Sequence, residues 1–175
     1  TKDTRAAAEK AAKLVFENLF EAYQNGQNIE ARENMLVASY FAGLAFTRAY
    51  VGYVHAIAHN LGGLYNVPHG LANAIVMPHV LEAYGKSAYK SLAKLADLTG
   101  AAGAATSEEE KAKNFIEAIK EMNRKMGIPD KIDVLKAEDI DTIARRALKE
   151  ANPLYPVPKL MDVKEISEVI RGLLP

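Results

Sequence analysis

All four histidines of this sequence lie between Gly52 and His79. Two of them, His55 and His59, are four residues apart, so on a helix both side chains project from one face about one turn apart. His69 follows a glycine-containing stretch at which the chain can reverse and bring a third imidazole back to this pair. Neutral imidazole is the usual nitrogen donor for Zn²⁺ and Fe²⁺ in proteins. The segment is therefore a candidate metal site.

The spacing alone leaves other interpretations open. A histidine pair of this kind is often two core imidazoles bonded to the backbone, and His69 after Pro68 is also compatible with an ordinary loop. A third interpretation is a metallohydrolase with three histidine ligands, which needs a nearby carboxylate as base. Residues 52–78 contain neither Asp nor Glu, which argues against it. The sequence also has no His-Glu-x-x-His motif, no GxGxxG and no GxxxxGK[ST], so it carries no nucleotide-binding fingerprint of its own.

The pattern of apolar residues predicts helices throughout, and no segment alternates as a strand would. Gly62 and Gly63 are expected to stop the helix that carries His55 and His59, leaving a loop up to Pro68. Ser107, followed three residues later by a glutamate, is typical of a capping box at a helix start. The predicted helices cover residues 4–23, 29–50, 53–61, 70–84, 87–98, 107–126, 137–150 and 162–173. We therefore predict an all-α fold, a compact bundle of seven or eight helices.

Composition narrows the class of protein further. At 175 residues the chain is long enough to bury its own core, and we expect a single domain. Lys plus Arg and Asp plus Glu both number 22, so no net field attracts nucleic acid or an anionic membrane. There is no cysteine, which excludes disulfides and thiolate zinc sites and fits a cytoplasmic protein. No apolar stretch approaches the ~20 residues that span a bilayer. The chain begins Thr-Lys-Asp-Thr-Arg without an initiator Met, and we expect it to be a fragment.

Residues 42–74, AGLAFTRAYVGYVHAIAHNLGGLYNVPHGLANA, closely resemble the signature of iron-containing alcohol dehydrogenases. The first helix and residues 152–161, NPLYPVPKLM, resemble the opening and closing segments of the same family's C-terminal domain. The resemblance implies a helical domain of the kind found in glycerol dehydrogenase and dehydroquinate synthase, which binds the metal. An N-terminal α/β domain that binds NAD(P) would be absent from this chain, and the cleft between the two would be the active site.

Carried over by motif position, the resemblance makes His55 and His69 ligands of Fe²⁺ or Zn²⁺ and His59 a catalytic residue beside the metal. The family's two other ligands, an Asp and a His one turn apart, lie on a helix that precedes this sequence, so we expect the chain to be inactive by itself. Phe46, between two and three helical turns before His55, is a candidate for the substrate pocket, although a helical phenylalanine is more often core. His79 has no ligand counterpart and is expected to be structural.

The implied reaction is the interconversion of an alcohol with an aldehyde or ketone by hydride transfer to or from NAD(P). The metal would act as a Lewis acid, and His59 would pass the alcohol proton onward. The competing hypothesis is a non-catalytic helical module or relic of such an enzyme. Small alcohols or aldehydes are the expected partners, without nucleic acid or membrane. We also expect a homo-oligomer, because surface that another domain normally covers would be exposed.

Overall fold

The computed structural model describes residues 1–175 and contains eight α-helices and no strand, which confirms the all-α prediction. A short 3-10 helix, Ala137–Asp139, precedes the seventh α-helix. None of the helices is both long and apolar enough to cross a lipid bilayer. The α-helices are α1 Lys2–Gln24, α2 Ile29–Ala49, α3 Tyr53–Tyr65, α4 His69–Tyr84, α5 Lys86–Thr99, α6 Glu108–Lys125, α7 Ile140–Ala151 and α8 Val163–Arg171.

The residues group into two compact units, and the expectation of a single domain stays a prediction. Residues 1–50 and 89–118 form the first unit, and residues 51–88 and 119–175 form the second. In the first unit α1 and α2 pack along their lengths. Ala31, Ala38 and Ala45 are buried on one face of α2, where small side chains allow close helix packing. On the same face the Asn34 amide donates to Asn18 of α1 at 2.9 Å.

The second unit places α3 against α4 and α7, and α8 against α7 and α4. Its fully buried side chains include Tyr53, Ile57 and Leu61 of α3. The Tyr53 hydroxyl donates to Asn152 Oδ1 at 3.3 Å and accepts the Met161 N–H at 3.2 Å. A buried hydroxyl must find hydrogen-bond partners, and here both are in the segment between α7 and α8. The start of α3 is thereby tied to that segment.

Two local predictions have clear outcomes. The capping box is confirmed, because the Glu110 N–H donates to Ser107 Oγ at 3.2 Å and the Ser107 N–H donates back to the Glu110 carboxylate at 3.3 Å. The expected stop at Gly62 and Gly63 is wrong, because α3 continues to Tyr65. The helix ends at Asn66, which adopts a left-handed conformation with φ 56° and donates its N–H to the Gly62 carbonyl.

Tertiary contacts explain why the two glycines do not end α3. A glycine inside a helix costs roughly 1 kcal/mol relative to alanine, which a few packed side chains can offset. Leu61, just before the pair, is fully buried. Beyond the pair, the Tyr65 hydroxyl donates to the Asp139 carboxylate at 2.5 Å and accepts the Lys136 N–H at 3.3 Å. These contacts hold the last turn of the helix.

A proline inside α4 is accommodated by a side chain from α6. Pro78 has no N–H, so the carbonyl of Ala74, four residues earlier, loses its helical partner. The Asn123 amide donates to that carbonyl at 2.8 Å. The helix therefore continues through the proline to Tyr84.

The imidazole of His79 should make folding of the chain pH-dependent. Burial lowers the pKa of His79 below its ordinary 6.5, and Lys131 and Lys120 lower it further, against a hydrogen bond to the Asp130 backbone and the charge of Glu82, which raise it. Protonation of His79 is less favourable in the folded state than in the unfolded state. The contribution of the neutral ring to the free energy of unfolding is therefore fully present above pH 6.5 and is lost as pH falls through the lower folded-state pKa. We expect His79→Gln to flatten the free energy of unfolding against pH over this window. Urea titrations at a series of pH values, in the presence of a chelator, would measure the free energy of unfolding of both proteins. An equal slope against pH in His79→Gln and the wild type would show that His79 is not the responsible group.

An apolar stripe on α2 should cause self-association of the isolated chain. Leu36, Tyr40 and Leu44 recur every four residues and are 73%, 63% and 45% exposed. Contiguous exposed apolar surface of this kind marks an interaction site. We expect hydrophobic-dye binding and concentration-dependent association, both reduced by Leu36→Gln with Leu44→Gln. Leu160→Gln, at a position 76% exposed but outside the stripe, is the matched control. A wild-type chain that remains monomeric at high concentration without binding dye would refute the expectation.

Candidate functional site

The turn between α3 and α4 reverses the chain direction and brings His69 close to the two histidines of α3. Asn66 ends α3 in the left-handed conformation, and Pro68 precedes the first residue of α4, His69. Because the two helices pack against each other, His69 comes back to the face of α3 that carries His55 and His59. His69 thus meets His55 and His59 in space, as the clustering of the three residues in the sequence predicted.

The three imidazoles lie in mutual contact. The ring centres of His55 and His69 are 5.4 Å apart, those of His59 and His69 are 5.3 Å apart, and those of His55 and His59 are 5.9 Å apart. The rings of His59 and His69 are nearly parallel, at 18°. Core imidazoles bonded to backbone do not need one another, so this convergence of three rings favours a shared ligand over simple packing.

The geometry fits two metal ligands and not a complete metal site. Two imidazoles bound to one tetrahedral ion by bonds of about 2.0–2.1 Å have ring centres roughly 5 Å apart, a separation close to that of His55 and His69 and equally to that of His59 and His69. No group of three or more His, Asp or Glu side chains is arranged to hold an ion. The same absence weakens the three-histidine hydrolase interpretation, which requires such a group within this chain.

Electrostatics keeps His55 in the form that a metal requires. Partial burial lowers the pKa of His55, and the neighbouring His69 and His59 lower it further, whereas Glu150 raises it. A neutral imidazole has a free nitrogen lone pair, while a protonated ring must lose a proton before it can bind an ion. The lowered pKa of His55 therefore favours the neutral form, in which an imidazole can bind an ion.

A carboxylate that the sequence analysis missed contacts His59. Glu150, at the end of α7, places Oε1 2.7 Å from His59 Nδ1. The Tyr155 hydroxyl donates to the same oxygen at 3.1 Å. Residues 52–78 contain no carboxylate, and Glu150 lies 91 residues after His59 in the sequence. Its one sequence signal is its position just before residues 152–161, the second segment of the family resemblance.

Asn73 is the second residue that the spacing did not indicate. It lies one turn after His69 on α4, and its Nδ2 is 2.9 Å from the His69 carbonyl and 3.1 Å from the His69 Nε2. The Asn73 Oδ1 is buried and has no hydrogen-bond partner. An unsatisfied buried oxygen beside a predicted metal ligand is consistent with a site that is completed by a further group.

The other two candidate residues are Phe46 and His79. Phe46 is on α2 in the first unit and is 53% exposed, so it is not a core residue of this chain and its place in a substrate pocket stays a prediction. His79 is on α4, ten residues beyond His69. Its ring is hydrogen-bonded to the Asp130 backbone. It faces a cavity of about 310 Å³ that none of the other three histidines lines.

Comparison with known proteins matches the chain to the C-terminal part of one protein family. Residues 2–174 match the C-terminal part of the Fe-containing alcohol dehydrogenase family. The chain is 41% identical over 170 residues to 1,3-propanediol dehydrogenase of Citrobacter freundii, which covers 96% of this chain and 44% of that protein. It is 35% identical over 173 residues to NAD-dependent methanol dehydrogenase of Bacillus methanolicus, covering 98% and 45%.

A solved structure gives the same result for the fold. The crystal structure of a 1,3-propanediol oxidoreductase superposes with a TM-score of 0.90 and 38% identity, over 97% of this chain and 45% of the other. The chain thus spans less than half the length of the relatives that it matches.

Proposed function

Since the chain belongs to the iron-containing alcohol dehydrogenase family and corresponds to its C-terminal domain, we propose that it is the metal-binding part of an NAD(P)-dependent alcohol dehydrogenase. The longer protein would interconvert a small alcohol and an aldehyde or ketone. The single observation that carries the proposal is the convergence of His55, His59 and His69, whose ring centres lie 5.3 to 5.9 Å apart.

In this proposal His55 and His69 hold Fe²⁺ or Zn²⁺, and the ligand set is completed by an Asp and a His outside this sequence. When bound, the ion supplies Lewis-acid stabilisation of the alkoxide or carbonyl oxygen. The chain's own contribution is to keep two neutral imidazoles in place. Their ring separation of 5.4 Å and the lowered pKa of His55 both support this role.

His59 would handle the alcohol proton. Its ring contacts both proposed ligands, its side chain is 43% exposed, and its Nδ1 is engaged by Glu150. A residue that must take a proton near the metal and return it to solvent needs contact with both. We propose that Phe46 lines the substrate pocket, since its exposure leaves it available to contact another molecule or domain.

The second candidate is a non-catalytic helical module that has kept the fold. The absence of a complete ligand group within the chain is the observation in its favour. It predicts no affinity for metal beyond that of scattered surface histidines, so metal binding separates the two hypotheses.

The exposed stripe on α2 supports our further proposal that the protein works as a homo-oligomer or with this face covered by another domain.

Metal binding is the first test. We expect the chain to bind Zn²⁺, and Fe²⁺ under anaerobic conditions, only weakly, because two ligands leave an ion half-coordinated. His55→Ala or His69→Ala should lower the affinity by at least about tenfold, a loss typical of disturbed metal sites. His79→Ala is the matched control and should change nothing. Calorimetry would measure these affinities. Equal affinity in all four proteins would favour the non-catalytic module.

Catalysis should require the preceding half of the enzyme. We expect no NAD(P) reduction by the chain with any alcohol, because the sequence has no nucleotide-binding motif. Joined behind the preceding half of the Citrobacter freundii relative, it should bind Fe²⁺ tightly and oxidise short alcohols, and His55→Ala should abolish both. Absorbance of the reduced nicotinamide would report activity. Tight metal binding without turnover would contradict the enzyme proposal, and loss of both properties in the fused protein would favour a relic.

A further inference from the structure

A hydrogen-bonded series of three side chains links the histidine cluster to the end of α7 and the segment that follows it. His59 on α3 contacts Glu150 at the end of α7, and Glu150 accepts a hydrogen bond from Tyr155 in the segment that follows. We propose that Glu150 is a positioning residue that holds the Nδ1–H form of His59 and leaves Nε2 as the nitrogen that accepts a proton. The proposal extends the role assigned above to His59 and rests on that proposed function for its consequence.

The form of the ring follows from which atoms can donate. An ionised carboxylate only accepts hydrogen bonds, so the hydrogen in the 2.7 Å contact must belong to His59 Nδ1. A neutral imidazole carries one N–H, and Nε2 therefore keeps its lone pair. Without such a partner, neither nitrogen would be selected. The position of one carboxylate thus decides which nitrogen of His59 is available for chemistry.

Glu150 is itself held in place. The Tyr155 hydroxyl donates to Oε1, the same oxygen that faces His59, and the Tyr155 N–H donates to the Ala151 carbonyl at 2.7 Å. Desolvation, together with Glu150, raises the pKa of Tyr155, so this hydroxyl remains a donor at neutral pH. Ala147 and Ala151 are buried on α7, and α7 packs against α3, which fixes the helix that carries Glu150.

The contact between His59 and Glu150 contributes little to stability, but the ring of His59 is restrained on more than one side. Ion pairs with side chains 43% and 30% exposed contribute little to folding. Yet the edge of the ring is fixed by Glu150 and one face by the nearly parallel ring of His69. Restraint of both edge and face is what a group needs when it must present one nitrogen in a set direction.

The arrangement has a defined consequence for proton transfer. In the proposed alcohol oxidation His59 Nε2 would accept the proton as the alcohol O–H bond breaks, and NAD(P)⁺, when bound to the longer protein, would supply the acceptor for the hydride that leaves carbon. The ring becomes an imidazolium next to the Glu150 carboxylate, which stabilises the charge without taking the proton. The proton then passes to solvent, and the neutral Nδ1–H ring is restored.

The test is to observe the two ring nitrogens of His59 directly. The chain, labelled with ¹⁵N in histidine and free of metal and nucleotide, would be studied by NMR at about pH 8.5, two units above the ordinary histidine pKa. We expect His59 to show a protonated Nδ1 and an unprotonated Nε2. Glu150→Ala should remove this selection, and Glu150→Gln should give a mixture, because an amide can both donate and accept. Tyr155→Phe keeps the carboxylate but removes the hydroxyl that holds it, so it should weaken the preference for the Nδ1–H form while leaving that form the major one.

His79 provides an internal check, since its ring is held by the Asp130 backbone and should give the same signals in every variant. A wild-type His59 protonated at Nε2 would overturn the proposal, and so would a Glu150→Ala protein with unchanged His59 nitrogens. Because the measurement uses neither metal nor substrate, its outcome is independent of whether the chain binds an ion. Failure of this positioning role is therefore distinguishable from failure of the proposed dehydrogenase function.

Discussion

The burial of one side of α3 is the constraint on which the histidine cluster depends. Tyr53, Ile57 and Leu61 recur every four residues and are fully buried, so the rotation of the helix about its axis is fixed by the core. A shift of one residue would turn the helix by about 100° and bring a different face to the core. With the rotation fixed, His55 and His59 project from the opposite side of the helix, and α4 needs only to begin near them. The chemistry of the site is thus set by apolar packing that takes no part in it.

Features that depend on neighbouring residues could be predicted from the sequence. The periodicity gave the number of helices and most of their limits, and the capping box at Ser107 was recognised because both partners lie within one turn. The stop predicted at Gly62 and Gly63 was wrong for the opposite reason. The contacts that extend α3 come from Asp139 and Lys136, whose effect on this helix no local pattern reveals. Intrinsic preference was overruled by tertiary structure.

The candidate site divides along the same line. The three clustered histidines were visible as a motif because the turn before His69 is short. Their supporting residue Glu150 was not, since its contact with His59 spans 91 residues. Asn73 is close to His69 in sequence, but its importance lies in a buried oxygen without a partner, which only the packing reveals. Motif analysis therefore found the groups that could bind a metal and missed those that orient them.

The surroundings of the cluster give chemically identical rings different electrostatic environments. Burial and the two neighbouring imidazoles lower the pKa of His55, which favours the neutral form that coordinates a cation. The one carboxylate in contact with the cluster is placed at His59, the ring assigned to the proton and not to the metal. Had that carboxylate contacted His55 instead, it would have favoured a protonated ring in competition with the ion. The proposed division between ligand and proton carrier thus depends on where a single negative charge is held, and that position is set by the packing of α7 against α3.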